Sequence, residues 1–373
     1  MSSITVRKVE GKKDLMSFIK LPWKIYENDP NWVPHLIMER KQILDKKKNP
    51  FFTHGDMELY LAEQNGEIVG RIAAVENTLH NESHNENIGF FGFFECINNQ
   101  DVANKLLDTA KEWIKNKGLA AMRGPANPSS NDEWAMLLEG FDKAPCLMMT
   151  YNPEYYLELM DNYGMKKVKD LYAYLIENKK LLAQEKLVRG AEIVRRRNGV
   201  TVRSADMKNF DKELERYKMV YSKAWAPNWG FVPLTSIEID HMAKELKPLI
   251  DPDLILFMEK DGETIGAALV VPDLNRAIKK MNGKLFPFGI LKFLKARKNI
   301  DLARVITLGV IPEHQKKGLD ALFYYEITKR AEAKGIMYGE ASWILEDNEM
   351  MNRGAKMMDG NIYKKYRVYE IGI

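Results

Sequence analysis

The sequence predicts a mixed α/β (α+β) fold built twice in tandem, each copy a mixed central sheet flanked by helices. Three observations carry this expectation. The chain has 373 residues, more than one hydrophobic core ordinarily organises, so two domains are expected. Two short segments recur at one long period: Ile4-Thr-Val-Arg7 returns as Val200-Thr-Val-Arg203, and Asn65-Gly-Glu-Ile-Val-Gly70 as Asp261-Gly-Glu-Thr-Ile-Gly266, both steps of 196 residues. Each Asn-Gly or Asp-Gly pair also lies between apolar runs, Glu58–Ala62 and Ile72–Val75 in the first copy, Leu254–Met258 and Ala267–Val271 in the second. That is the strongest short hairpin signal, because both central turn positions need φ > 0.

Composition narrows the function classes. A net charge of +4 is too weak a field to argue for nucleic acid or for an anionic membrane. No run approaches 18 apolar residues, and the opening Met1-Ser-Ser-Ile-Thr-Val-Arg7 has no apolar leader core, so stable membrane insertion is not expected. The two cysteines, Cys96 and Cys146, make neither a disulfide framework nor a metal spacing. A reduced, cytoplasmic protein is the expectation. His80 and His84 have the spacing of a metal pair, but they sit in a polar stretch read as a surface loop, and no metal site is expected.

Each half reads as strand, helices, hairpin, strand, helix, strand, helix, strand. In the first, residues 1–178, the strand after the hairpin is Ile88–Glu95. Cys96–Asp101 then turns into a helix carrying Ala103, Leu106, Leu107, Ala110 and Ile114 in register. This turn has no glycine, lysine or arginine, and its Asn98, Asn99 and Asp101 suit a helix N-cap rather than an anion. Downstream, Arg123–Trp134 is a loop dense in Asn, Ser, Asp and Pro. Its Arg123, Asn127, Asn131, Asp132 and Glu133 could shape an acceptor pocket, or the loop could simply be held by its own prolines and side-chain hydrogen bonds.

Residues 179–199 read as a linking amphipathic helix, with Leu181, Leu182, Leu187, Val188, Ala191 and Val194 at helical spacing and Arg195–Arg197 as its cationic end. The second domain, residues 200–373, carries the informative turn. Arg304–Ile311 is an apolar, β-branched strand. Pro312–Gly318 follows, then a helix with Leu319, Leu322, Phe323, Ile327 and Ala331 on one face that stops at Gly335. A strand, a short basic turn with a glycine and a helix start together make a phosphate cradle, since unpaired N–H groups and the helix dipole both face the anion.

Gln315-Lys-Lys-Gly318 after Val310-Ile-Pro312 resembles the pyrophosphate-binding turn of the GNAT N-acetyltransferase superfamily, Gln/Arg-x-x-Gly-x-Gly/Ala, and the order of elements on both sides fits it. The aromatic–proline runs Leu21–Tyr26 and Asp29–Pro34, with Gly140–Pro145 and Tyr151–Tyr156, look like a tandem-domain bacterial family of about this length with a GNAT-like repeat. The resemblance implies acetyl-CoA or another acyl-CoA as co-substrate, with the backbone of Leu308, Gly309 and Val310 meeting the thioester arm. Gln315, Lys316, Lys317 and Gly318 would cradle the pyrophosphate, and Asn348 would lie on the cofactor side. Asp320 departs from the pattern, and a carboxylate about 5 Å from a phosphate would cost roughly 3 kcal/mol at an effective dielectric of about 20. The tyrosine that family often carries in its last helix is absent, Ala355 and Lys356 occupying the region. Tyr324, Tyr325, Tyr363 or Tyr366 could replace it as the acid, and Glu340 and Glu346 flank the strand end as candidate bases.

The expected activity is therefore acyl-CoA-dependent acyl transfer to an amine, the acceptor being a small molecule or peptide and the oligomeric state open. Two alternatives stand beside it: a non-catalytic binding protein with a decayed site, suggested by Asp320, and a Fem-type aminoacyltransferase, suggested by the linker helix and its arginines. The segment from Asn275 to Asn299, alternately basic and apolar, is an insertion that packs an extra helix, forms a lid, or lies on a membrane surface.

Overall fold

Both repeated dipeptides form hairpin turns, with φ of 55° and 78° at Asn65 and Gly66, and 51° and 85° at Asp261 and Gly262. A computed structural model describes residues 3–226, 228–247 and 249–373; Met1 and Ser2, where the leader was sought, lie outside them. In chain order the first part comprises β1 (Ile4–Lys8), α1 (Gly11–Ile25), α2 (Ile37–Ile43), β2 (Gly55–Gln64), β3 (Glu67–Asn77), α3 (Thr78–His84), β4 (Ile88–Cys96) and α4 (Gln100–Asn116). It continues with β5 (Ala121–Gly124), β6 (Ala126–Asn127), β7 (Glu133–Trp134), β8 (Met136–Glu139), α5 (Tyr155–Tyr163) and β9 (Lys166–Glu177). Then come α6 (Asn178–Leu182), α7 (Glu185–Asn198), β10 (Val200–Ser204), α8 (Phe210–Trp225), α9 (Ser236–Leu246), β11 (Ile255–Lys260) and β12 (Glu263–Pro272). The chain ends with α10 (Asn275–Ile278), α11 (Gly289–Arg297), β13 (Leu302–Val310), α12 (Leu319–Ala333), β14 (Tyr338–Leu345), α13 (Glu349–Met357) and β15 (Asn361–Gly372).

Two compact units result, and each is discontinuous in sequence. The first takes the chain up to Asp170, adds Asn275–Ala296, and ends with Lys364–Ile373. The second is Leu171–Leu274 with Arg297–Tyr363. In the first, β1 to β4 run antiparallel, β4 and β5 pair in parallel, and β15 closes on β5 with Tyr369 opposite Gly124. In the second, β10 to β13 run antiparallel, β13 and β14 pair in parallel, and β9 lies antiparallel to β14 with Glu177 opposite Tyr338.

The repeated residues do equivalent work in both units. Arg7 of β1 binds Glu63 on β2 at 3.1 Å and Asp14 on α1; Arg203 of β10 binds Glu259 on β11 at 2.8 Å and Glu213 on α8. Each arginine ties an edge strand to its neighbour and to the first helix, using the planar fork that lysine lacks. Gly70 and Gly266 are close-approach positions: a Cβ there would meet Leu106 of α4 at 2.6 Å or Phe323 of α12 at 2.8 Å. The missing side chain lets each helix settle on its sheet. On α4, Val102, Ala103, Leu106, Leu107, Ala110 and Ile114 are buried, and on α12 so are Leu319, Leu322, Phe323, Ile327 and Ala331. These are the predicted faces, and each large aliphatic side chain so buried contributes about 1.5–3 kcal/mol.

Candidate active site

The two units diverge where their parallel strands part. In the second unit, β13 and β14 pair from Leu302–Tyr338 to Val305–Ala341 and no further. An extra residue, Ile306, interrupts the pairing of β13 with β12 on the other side, since Thr307 faces Leu269 while Val305 faces Val270. A bulge of this kind reverses the alternation of side chains, so Arg304, Thr307 and Gly309 come to one face of the strand. Residues Val305–Gly309 are only half-buried, whereas β4 of the first unit is buried throughout.

The turn after β13 is open. Lys316 has φ 60° and Gly318 φ 75°, and α12 begins at Gly318 without a side-chain cap. Among the described residues, nothing accepts a hydrogen bond from the amides of Lys316, Lys317, Gly318 or Leu319. Gln315 turns back, donating from Nε2 to the Val310 carbonyl at 2.9 Å, and Lys317 Nζ reaches the Glu313 carbonyl at 3.0 Å. A Cβ on Gly318 would meet only Val194 of α7, at 3.3 Å. Asp320 lies in the first turn of α12 without capping it, so the aspartate leaves the amides of the turn unclaimed. Four N–H groups at a helix start, two lysines and a glycine suit a diphosphate.

The parted strands have side chains on two faces. On the α12 side, Leu308 packs with Tyr324, Ala341 and Met358. The Tyr324 hydroxyl lies 3.5 Å from Met351 Sδ, and burial raises its pKa well above the ordinary tyrosine range. Asn348 caps α13, accepting from the Met351 amide at 3.1 Å. On the opposite face Glu340 is fully enclosed. It accepts from the Ser342 hydroxyl at 2.5 Å and from the Tyr363 hydroxyl, with the Arg304 guanidinium 3.7 Å away. Tyr217, Tyr221 and Trp225 stack along α8 at 6.0 and 5.4 Å, Phe231 closes on Tyr221 at 5.3 Å, and Tyr217 meets the Thr307 hydroxyl at 3.0 Å. Burial pushes the Tyr217 hydroxyl up to about 12. An apolar wall therefore runs beside the far half of β13.

In the first unit the corresponding opening is filled by the chain itself. β4 and β5 pair only from Ile88–Ala121 to Phe90–Arg123. Past that point β6 moves in: a Cβ on Gly92 would collide with the Ala126 carbonyl, and the Phe93 amide donates to Asn127 Oδ1 at 2.6 Å. The start of α4 is closed as well, because the Asn99 side chain accepts from the amides of Asp101 and Val102.

Of the loop residues singled out by sequence, Asn127 and Glu133 meet. Asn127 Nδ2 donates to Glu133 Oε2 at 3.3 Å, and the other Glu133 oxygen accepts from Arg40. Burial opposes the Glu133 charge, yet Arg40 and the neighbouring groups hold its carboxyl down at about 2. Arg123 lies apart, between Glu86 at 2.8 Å and Glu370 at 2.7 Å, and Asn131 sits in the tight turn of Ser129. Sequence reasoning missed the buried partners of this region. Glu95 accepts from the hydroxyls of Tyr26 at 3.0 Å and Tyr156 at 2.8 Å, with Arg71 at 3.4 Å, and burial raises its carboxyl. The only available signal was charge inside otherwise apolar strands, Arg71 in β3 and Glu95 in β4.

His80 is a correction: it lies in α3 and is buried rather than in a surface loop. It sits 2.8 Å from Glu86 and 4.9 Å from the Phe90 ring centre, and burial lowers its pKa to about 4. The linker residue Arg195 pairs with Glu326 of α12, which fixes α7 beside the open turn.

No family model matches the chain. It is 35% identical over 379 residues to the bacterial ceramide synthase of Caulobacter vibrioides (strain NA1000 / CB15N), covering 99% of this chain and 97% of that protein. It is 35% identical over 371 residues to protein YghO of Escherichia coli (strain K12), covering 98% and 94%. A GCN5-related N-acetyltransferase from Sphaerobacter thermophilus superposes with TM-score 0.56 over 99% of this chain and 95% of that one, at 13% identity, a likeness of fold. With a mixed sheet whose parallel strands part before a basic turn, and with identity at this level along its whole length, the chain belongs to the family of the Caulobacter ceramide synthase and protein YghO.

Proposed function

We propose that the second unit is an acyl-CoA-dependent N-acyltransferase whose acceptor is a long-chain amine. The observation that carries this is the unclaimed set of amides from Lys316 to Leu319, at the end of a half-exposed strand that has left its parallel neighbour. In this reading these amides, Lys316 and Lys317 hold the diphosphate, and Gln315 braces the turn through the Val310 carbonyl. The backbone of Leu308, Gly309 and Val310 meets the acyl-bearing arm, and Asn348 starts α13 beside it. The acceptor class rests on the relative named a ceramide synthase, and on the aromatic wall of Tyr217, Tyr221 and Trp225, which offers a hydrocarbon chain apolar surface in place of water.

The chemistry is direct. The amine lone pair attacks the thioester carbonyl, the C–N bond forms, the C–S bond breaks, and CoA leaves as the thiol. The nitrogen loses its proton through the Tyr363 hydroxyl toward Glu340, on the Arg304 face. Tyr324 is kept protonated by burial and donates to the departing sulfur from the α12 face; its proton is then replaced from solvent, to which Glu340 releases its own. Placing base and acid on opposite faces keeps the two protons apart.

Calorimetry with acetyl-CoA and palmitoyl-CoA, on the wild type and on Gly318→Trp, tests the cradle. Binding in the wild type and its loss in a variant that circular dichroism shows to be folded, though less stable because position 318 has φ 75°, is the expected result. Equal heats in both proteins remove the cradle. Thiol release with palmitoyl-CoA and a long-chain 2-amino-1,3-diol then tests the reaction, and binding without release leaves a binding protein.

A further inference from the structure

We propose that the segment from Lys284 to Ala296 is a docking surface for an anionic lipid bilayer. Residues 275–300 contain eight lysines and arginines and no aspartate or glutamate. The base of the segment is bolted to the first unit. Trp23 Nε1 donates to Asn282 Oδ1 at 2.8 Å, the Ile37 amide donates to the Gly283 carbonyl at 3.1 Å, and Met281 and Ala277 are buried. Gly283 has φ 77° and lies against the Trp23 indole, so the chain turns sharply there and presents residues 284–296.

This stretch is apolar and uncovered. Phe286 and Phe288 are each 68% exposed, Leu291 62% and Leu294 50%. Phe288, Leu291 and Leu294 recur every third residue along the start and body of α11, so they form one row. Lys284, Lys292 and Lys295 are exposed beside it. Met38, half exposed on α2, is one residue from the amide that holds Gly283. Large side chains left in water at this density mark an interaction surface, and an apolar row flanked by cations is the pattern of a helix lying in a membrane interface. The charge selects the occupant. A second copy would bring the exposed Lys284, Lys292 and Lys295 against the same three lysines, whereas phosphate headgroups complement them. No described helix is long and apolar enough to cross a membrane, so the contact is with one face of the bilayer.

The inference does not depend on the transferase reading, and its test uses neither acyl-CoA nor acceptor. The full chain is sedimented with phosphatidylcholine vesicles with and without 30 mol% phosphatidylglycerol. Binding is expected only to the anionic vesicles. A cation near such a surface contributes about 1 kcal/mol, or roughly fivefold, so Lys284→Gln with Lys292→Gln and Lys295→Gln weakens binding on the order of a hundredfold. Phe286→Ser with Phe288→Ser and Leu291→Ser abolishes it while the melting temperature stays, because these side chains pack against little. Absence of binding to anionic vesicles overturns the proposal. So does equal binding by the wild type and both variants, or a dimer seen by light scattering that the serine variant disperses.

Discussion

A Cβ on Gly309 would stand 2.6 Å from the Trp225 indole, so the end of α8 and the far half of β13 meet only because position 309 has no side chain. The aromatic wall and the open strand are thus built around one missing methyl group.

That relationship predicts non-additivity. Gly309→Ala should destabilise by about 1–3 kcal/mol, the usual cost of overpacking, and should cost less in a Trp225→Ala background, where the ring is gone and the Ala224 Cβ at 2.9 Å remains. Urea titration of the two single variants and the double variant measures it. Additive losses would mean that the two positions do not touch.

Glu340 predicts a division between stability and turnover. Glu340→Leu leaves the Arg304 guanidinium, 3% exposed, facing a side chain that cannot pair with it, and should cost about 3–5 kcal/mol. Tyr363→Phe removes only the hydroxyl that donates to Glu340. It should cost about 1–3 kcal/mol, less than Glu340→Leu, because the enclosed carboxylate keeps Ser342 and Arg304. It should also lower kcat by on the order of 10²-fold if Tyr363 carries the proton, and leave palmitoyl-CoA affinity unchanged.

In the first unit, Asn127→Leu should destabilise by about 1–3 kcal/mol. The Phe93 amide loses its buried acceptor and finds no water in its place. Chemical denaturation reads the loss, and since the site of the second unit is untouched, acyl-CoA binding should persist.

His80 sets a pH dependence. Its pKa falls to about 4 in the folded chain, against about 6.5 in the unfolded one. Between these values the unfolded state binds the extra proton, so stability is full above pH 6.5 and declines as pH falls toward 4, by about 3 kcal/mol from this group. His80→Gln keeps a donor for Glu86 and cannot titrate. The difference between wild type and variant in unfolding free energy from urea titration, followed from pH 7 to pH 4.5, should therefore shrink by about 2.4 kcal/mol as pH drops. A pH-independent difference would rule out the buried neutral histidine.

Much of the frame was legible because it is local. Asn65-Gly66 and Asp261-Gly262 could only be tight turns, and the apolar spacing of α4 and α12 named their buried faces before any coordinate. The contrast between Cys96–Asp101 and Pro312–Gly318 was readable too, since an Asn cap satisfies helix-start amides with its own side chain and a glycine does not. Hidden from the sequence were contacts across long separations: Arg40 with Glu133, Arg71 with Glu95, and Tyr363 with Glu340. No periodicity relates such residues, and each is unremarkable alone. His80 shows the same limit, its polar neighbours suggesting exposure where the packing of Phe90 gives burial.

The sequence by itself determined the element types, the two hairpins and the character of the turn before α12, because backbone preference and side-chain periodicity act within a few residues. Only the tertiary structure decided that Ala126 and Asn127 fill the parting of β4 and β5 while the parting of β13 and β14 stays open. It also decided that Asn275–Ala296 and Lys364–Ile373 belong with the first unit and Leu171–Glu177 with the second. Those outcomes depend on which distant segments exclude water from each other, a free energy spread over many side chains and encoded at no single position.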